Sequence, residues 1–114
     1  MVRCVTTPFA STPKPPYTAV IFTNVRTPID AGYGAMAERM EALAAEQPGY
    51  LGFESARDAD LGIAVSYWTT PEAAAAWKRV SDHAEAQRRG RDEWYEGYVV
   101  RIAAVTREYH SPPG

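Results

Sequence analysis

The sequence holds a single cysteine, Cys4, and only two histidines. One cysteine excludes a disulfide within the chain, which is consistent with a reducing compartment. No apolar run approaches the roughly 18 residues of a membrane-spanning helix, and residues 1–16 lack the apolar stretch of a signal peptide. A net charge of -2 provides no field that would collect nucleic acid. We therefore expect a cytoplasmic protein with no membrane or nucleic-acid partner.

Motifs for several kinds of catalysis are also absent. Two histidines and one cysteine, without a dense acidic cluster, do not make a zinc or iron site, so we expect no bound metal. Gly32 and Gly34 lack the strand–turn–helix setting of a phosphate-binding loop, and no Gly-x-Ser-x-Gly elbow marks a nucleophilic serine. Any reaction must therefore draw on the substrate itself, on a bound cofactor, or on hydrogen bonds within a pocket.

Alternating apolar residues and turn signals divide the chain into strands and helices. The predicted strands are Tyr17–Arg26, Tyr50–Arg57, Gly62–Thr69 and Tyr95–Tyr109. One helix is expected after an N-cap at Asp30 and another after a cap at Thr70. Asp82 and Glu85 have capping-box spacing, which predicts a break or kink at this point and a further helix over about 83–89.

The order strand, helix, strand, strand, helix, strand predicts an α+β fold. It is the order of the ferredoxin-like βαββαβ arrangement, a four-stranded antiparallel sheet with helices on one face. Residues 17–109 would form this domain, after an extended Pro- and Thr-rich lead over 1–16 and before a flexible tail over 110–114. Three of the strands are apolar on both faces, so the face without helices also needs a cover. We expect a homodimer in which the sheets pack face to face.

A pocket on the helix-covered face would contain two polar side chains. Asn24 lies on an apolar face of the first strand, and Trp77 lies on the inner stripe of the last helix. Both can orient a flat oxygenated ligand without adding charge. Alternatively, Trp77 is only core packing and Asn24 bonds a neighbouring backbone group. His83 is a candidate general base or an ordinary surface histidine, and Gln87 continues the stripe of Trp77.

Three segments resemble the antibiotic biosynthesis monooxygenase family of dimeric α+β barrel proteins. They are QPGYLGFES (Gln47–Ser55), GIAVSYWTTPEAAAAWK (Gly62–Lys78) and HAEAQRRGRDEWYEGYVVRIAAVTREY (His83–Tyr109). The resemblance extends over residues 17–109 and implies a dimeric barrel built from the ferredoxin-like unit. In cofactor-free members a polyphenolic substrate, deprotonated in the pocket, passes an electron directly to oxygen, while the protein binds and stabilises the anion.

Another branch of that family degrades haem with a strand asparagine, a helix tryptophan and an iron-ligating histidine. Asn24 and Trp77 match the first two by position, but Gln87 stands where the histidine is expected. His83 lies one turn earlier, about 5 Å along a helix, and glutamine is a poor iron ligand. The resemblance therefore disfavours haem degradation.

Pattern and resemblance together favour a cofactor-independent monooxygenase that oxidises a small aromatic, phenolic or quinol-type compound with molecular oxygen. We expect Asn24, Trp77 and His83 to be catalytic, with a small aromatic ligand as partner and no cofactor. The expected substrate-binding residues are Phe22, Met40, Tyr67, Trp68 and Gln87. The alternative is a dimer that binds or senses a small ligand without turnover, and a haem-binding or haem-degrading protein is less favoured.

Overall fold

The computed structural model describes residues 9–88 and 94–111, with only the backbone described for residues 85–88. The strands are β1 (Tyr17–Arg26), β2 (Tyr50–Asp58), β3 (Leu61–Trp68) and β4 (Tyr95–Val105). The helices are α1 (Tyr33–Ala45) and α2 (Pro71–Arg88). The strand order in the sheet is β2-β3-β1-β4, and each pairing is antiparallel. The predicted ferredoxin-like α+β fold is therefore confirmed.

β1 lies in the middle of the sheet and sets the register of the site. Asn24 lies opposite Gly62 of β3 on one side and Tyr98 of β4 on the other. Gly62 in turn lies opposite Arg57 of β2. Because side chains alternate between the two faces along a strand, Asn24 and Arg57 project from the same face. They lie on either side of a residue that has no side chain.

The two helices begin in different ways. Thr70 caps α2 as predicted, since its hydroxyl accepts a hydrogen bond from the Ala73 amide at 3.0 Å. The predicted Asp30 cap of α1 is wrong, because α1 starts after Gly32, which has a φ of 81° and makes no side-chain cap bond. The Asp30 carboxylate instead accepts a hydrogen bond from Arg26 at 3.2 Å. Glycine supplies the left-handed turn that leads into the helix.

α2 runs without interruption through residues 81 and 82, so the predicted break is wrong. Asp82 pairs within the helix with Lys78, whose Nζ lies 2.5 Å from the carboxylate, one turn away. The Ser81 hydroxyl donates to the Lys78 carbonyl at 2.9 Å instead of capping a new helix. Residue 89, the expected end of that further helix, lies outside the described residues.

β4 ends at Val105, four residues before the predicted end at Tyr109. Val105 lies opposite Tyr17, the first residue of β1, so the ladder has no partner strand beyond it. The segment that follows β4 is held by side chains instead. The Glu108 carboxylate accepts hydrogen bonds from the Tyr17 hydroxyl at 2.5 Å and from the Thr12 hydroxyl at 3.0 Å.

One end of the helix-free sheet face is covered by the chain's own lead. The Ala10 amide donates to the Glu54 carboxylate at 2.8 Å. The Tyr67 hydroxyl donates to the same carboxylate at 2.6 Å. The described part of the lead therefore rests on the sheet.

The other end of this face carries an apolar patch formed by Val25, Leu61 and Val99. Their exposed fractions are 36%, 51% and 46%. Val25 pairs with Leu61, and Val99 pairs with Thr23, two residues from Val25 along the same strand face. Nothing in the described part of the chain covers the patch.

The core lies between the helices and the sheet. Trp68 is fully buried and stacks on Trp77, with ring centroids 5.7 Å apart and planes inclined by 22°. The Trp68 indole N–H donates to the Ser66 hydroxyl at 2.8 Å, so its one polar atom is satisfied. Ala44 of α1 and Ala74 of α2 are fully buried beside these rings, and their small side chains let both helices approach the sheet closely.

Candidate active site

A cavity of about 460 Å³ lies between the helix-covered face of the sheet and the two helices. Its volume is within the range of small-molecule sites, roughly 300–1,000 Å³. The apolar and aromatic side chains of its wall include Phe22, Tyr33, Met36, Met40, Trp77, Tyr95 and Tyr98. The polar and charged ones include Asn24, Glu38, Glu41, Arg57, Lys78 and Asp82.

Four of the predicted site residues line this cavity: Phe22, Asn24, Met40 and Trp77. Phe22 and Asn24 come from β1, Met40 from α1 and Trp77 from α2. Asn24 is 3% exposed and Trp77 is 6% exposed, so both are buried against the cavity wall. The polar pair and two of the expected substrate-binding residues therefore border one space.

Three other predicted residues lie away from the cavity. Trp68 is in the core behind Trp77. Tyr67 projects from the opposite sheet face because it falls between two residues, Ser66 and Trp68, that face the helices. Burial, together with its hydrogen bond to a glutamate, raises the pKa of the Tyr67 phenol well above its ordinary value of 10. His83 is exposed on α2, so Trp68, Tyr67 and His83 do not line this cavity.

The side chain of Gln87, the remaining predicted binding residue, lies outside the described residues. The backbone places residue 87 in the last turn of α2, beyond Trp77 on the same helix.

Asn24 bonds an arginine side chain and not, as in the alternative interpretation, a neighbouring backbone group. Arg57 Nη2 donates to Asn24 Oδ1 at 2.5 Å and to the Tyr33 hydroxyl oxygen at 3.1 Å. A guanidinium has only donors, so the asparagine must turn its carbonyl oxygen toward it. This orientation leaves the Asn24 amino group as a donor for a ligand in the cavity.

Gly62 makes the Arg57–Asn24 bond possible. The Arg57 side chain crosses over the α-carbon of Gly62 to reach Asn24. A Cβ built on Gly62 would overlap the guanidinium Cζ, Nη1 and Nη2 atoms. The positive-φ glycines of the described chain are Gly32 and Gly49, so Gly62 is not required for its backbone conformation. It is the space above the strand that requires glycine here.

Aromatic rings packed around Tyr33 form one wall of the cavity. Tyr33 meets Tyr95 edge-on with ring centroids 5.9 Å apart, and the Tyr95 hydroxyl donates to the Tyr33 oxygen at 3.5 Å. Phe22 contacts Tyr95 and Tyr98 at centroid distances of 5.3 and 5.5 Å. The Arg26 guanidinium lies 3.4 Å from the centre of the Tyr33 ring. These contacts hold Tyr33 in place beside the polar end of the cavity.

Arg57 and Tyr95 were not singled out from the sequence. A signal for Arg57 was present, because a short hairpin between strands ending at Arg57 and starting at Gly62 places these two residues opposite each other. Tyr95 carries no comparable local signal, since its position depends on how β4 pairs with the distant β1. The position of Tyr95 in the cavity wall therefore follows from the pairing of distant strands, which the local sequence does not show.

Two kinds of feature are absent from residues 9–88 and 94–111. No group of three or more His, Cys, Asp or Glu side chains is placed to hold a metal ion. No helix within these ranges is long and apolar enough to cross a membrane. The polar groups of the cavity in this part of the chain are amide, hydroxyl, phenol, indole and charged side chains.

The chain is similar to several known proteins over most of its length. An uncharacterized protein, YqjZ of Bacillus subtilis (strain 168), is 52% identical over 100 residues, covering 87% of this chain and 88% of YqjZ. Among solved structures, SnoaB, a cofactor-independent oxygenase from Streptomyces nogalater, matches with a TM-score of 0.62 and 16% identity over 87% of this chain and 100% of SnoaB. PA3566 from Pseudomonas aeruginosa matches with a TM-score of 0.56 and 17% identity over 86% of this chain and 100% of PA3566. At these identities the structural likeness shows a shared fold.

The family itself is shown by a direct match of the sequence. Residues 17–89, more than half of the chain, match the family described as Antibiotic biosynthesis monooxygenase. The matched region contains β1, α1, β2, β3 and α2, which together supply most of the cavity wall. The resemblance noted in the sequence is thus confirmed, and the chain belongs to the antibiotic biosynthesis monooxygenase family.

Proposed function

We propose that this protein is a cofactor-independent monooxygenase that oxidises a small phenolic, quinol-type aromatic with molecular oxygen. The observation that carries the proposal is the buried Asn24 amide, which borders an aromatic cavity with its carbonyl oxygen already bonded and its amino group left to donate. The cavity volume suits a compound of a few fused rings. Membership of a monooxygenase family supports the same reaction class.

Trp77 offers a second donor in the same cavity. Its ring is held by stacking on Trp68. Its indole N–H makes no hydrogen bond to any residue in the described part of the chain, and no fully buried polar atom there is left unsatisfied. The N–H therefore has accessible surface, and since Trp77 lines the cavity it is a candidate donor to a ligand oxygen there. Asn24 and Trp77 would together orient an oxygenated aromatic and stabilise negative charge on it.

The reaction needs only the substrate and dioxygen. The phenol loses its proton to solvent, and the resulting phenolate passes one electron to dioxygen, which becomes superoxide. The two radicals combine to form a carbon–oxygen bond, and the resulting peroxide anion takes a proton back from solvent. The hydroperoxide then loses water to leave a carbonyl. One oxygen atom enters the product and the other leaves as water, so no external reductant is required. In this scheme the protein binds, orients and stabilises the phenolate.

Oxygen uptake with dithranol, a small phenolic anthrone, tests the proposal. Asn24→Ala should lower kcat/KM about ten- to hundredfold, because a hydrogen bond to a charged group contributes roughly 1.5–3 kcal/mol. Trp77→Phe keeps an aromatic ring in the core and removes only the indole N–H. It should therefore lower kcat/KM by less than Asn24→Ala does. Arg79→Gln, an exposed change on α2 outside the cavity wall, is the matched control and should leave uptake unchanged.

The outcomes separate this function from its alternative. If all four proteins consume oxygen only at the uncatalysed rate, the monooxygenase proposal fails for this substrate class. Retention of the corresponding anthraquinone without any oxygen uptake would instead favour a binding or sensing protein. Equal turnover in wild type and Asn24→Ala would remove Asn24 from the mechanism.

We further propose that two copies associate through their helix-free sheet faces. The apolar patch of Val25, Leu61 and Val99 is open on this face, and a second copy of the same patch would bury it symmetrically. The other end of the face is already occupied by the chain's own lead, held by the Ala10–Glu54 bond. The contact would therefore centre on the open end of the sheet.

A further inference from the structure

We propose that Arg57 makes the cavity selective for aromatic ligands that carry a negative charge. Arg57 borders the cavity, and no carboxylate forms an ion pair with it within the described residues. An arginine held at the polar end of an aromatic pocket is suited to a ligand with an ionised oxygen. This inference rests on the proposed function only in taking the cavity as the ligand site.

Hydrogen bonds hold the Arg57 guanidinium in place, but they do not use all of its N–H donors. Nη1 donates to the Asp60 carbonyl at 2.8 Å, and Nη2 donates to Asn24 and to Tyr33. These bonds use three of the five N–H groups of a guanidinium. The N–H of Nε and one N–H of Nη1 have no partner in the described part of the chain. Arg57 therefore keeps both its charge and two donors for a ligand.

The other charged groups of the cavity wall determine how strongly the cavity prefers an anionic ligand over a neutral one. Lys78 and Asp82 form an ion pair with each other at 2.5 Å, so their charges largely cancel. Glu38 and Glu41 of α1 are exposed and oppose an anion, although solvent screens them. Arg57 is also exposed to solvent, which reduces its attraction for an anion. We therefore expect a preference of about tenfold, equivalent to one hydrogen-bonded charge near a surface.

A pair of fluorescent probes with the same rings and different charge tests the inference. Anilinonaphthalene sulfonate is an anion, whereas phenylnaphthylamine is neutral. In Arg57→Gln the Kd of the anion should rise about tenfold while the Kd of the neutral probe changes by less than about twofold. The glutamine removes the charge and keeps an amide donor for Asn24. Arg79→Gln is the control for a general loss of positive charge and should change neither Kd.

Each outcome decides the matter. Unchanged affinity for the anion in Arg57→Gln would overturn the inference. An equal loss of affinity for both probes would also overturn it, because Arg57 would then only shape the cavity. Ala64→Phe, which fills the cavity from β3, should weaken both probes. Anion binding that survives Ala64→Phe would show that the cavity does not take the anion. The probes need no oxygen, so charge selectivity can hold even if oxygen uptake is absent, and the two proposals fail separately.

Discussion

Replacing Gly62 by alanine should change the stability of the protein in opposite directions, depending on whether residue 57 is arginine. In the wild-type chain a Cβ at position 62 would overlap the guanidinium of Arg57. The arginine must then move off the strand, and its bonds to Asn24 and Tyr33 are lost. Gly62 lies directly between Arg57 and Asn24 in the sheet register, so the guanidinium must pass over it to reach the amide.

Two opposing contributions determine how much Gly62→Ala changes the free energy of unfolding. Alanine in a strand is more stable than glycine by roughly 0.5–1 kcal/mol. Leaving the buried carbonyl of Asn24 without its donor opposes folding by roughly 1–3 kcal/mol. In the wild-type background Gly62→Ala should therefore destabilise by about 0–2.5 kcal/mol, with a central value of about 1 kcal/mol. In an Arg57→Ala background the bond is already gone, so Gly62→Ala should stabilise by about 0.5–1 kcal/mol.

Urea unfolding followed by tryptophan fluorescence measures all four proteins, at one fixed concentration because association would shift the midpoint. Gly34→Ala is the matched control, since a Cβ at Gly34 of α1 meets nothing within 4 Å. It should be stabilising by up to roughly 1 kcal/mol in both backgrounds. If Gly62→Ala changes the unfolding free energy with the same sign with and without Arg57, the packing of the guanidinium over Gly62 is not what holds Asn24.

Three further predictions concern the core, the lead and the sheet face. Trp68→Ala should lose about 3–5 kcal/mol of unfolding free energy, and a loss below about 1 kcal/mol would contradict its place at the centre of the core. The Tyr17 hydroxyl bonded to Glu108 holds the pKa of that carboxyl below its ordinary 4.5. The contribution of the ionised Glu108 to folding stability is therefore complete above about pH 4.5 and is lost as the pH falls through the lowered pKa. The destabilisation by Glu108→Gln, measured by urea unfolding, should shrink between about pH 6 and pH 3, and a pH-independent effect would argue against this bond. Leu61→Glu places a charge in the apolar patch and should convert a dimer to a monomer in size-exclusion chromatography with light scattering, whereas a wild-type protein that is already monomeric would contradict the proposed association.

The fold was predictable wherever the hydrophobic period dominated. β1 alternates apolar side chains along its length, and its bounds Tyr17–Arg26 were predicted without error. Errors arose where a local capping signal competed with an ion pair. Asp30 bonds Arg26 and Asp82 bonds Lys78, so neither carboxylate starts a helix. The end of β4 depended on the length of its partner strand, which the local sequence does not contain.

The site was predictable only in part, and strand alternation explains the difference. Asn24 was found because it is polar on an apolar strand face, and it does border the cavity. Tyr67 and Trp68 are consecutive in β3, so they cannot both face the helices. Arg57 was missed because a charged residue near a turn is normally solvated, and only the pairing of three strands shows that it reaches Asn24.

Gly62 links the stability of the sheet to the chemistry of the cavity. A glycine inside a strand lowers stability relative to alanine, and no positive φ requires one at this position. What the glycine provides is room for a cation to cross the strand and reach a buried amide. Local propensity and tertiary structure disagree here, as is expected at functional or strained sites. The disagreement lies at the polar end of the aromatic cavity, beside Arg57, the one arginine that lines the cavity within the described residues, and it supports ligand recognition there.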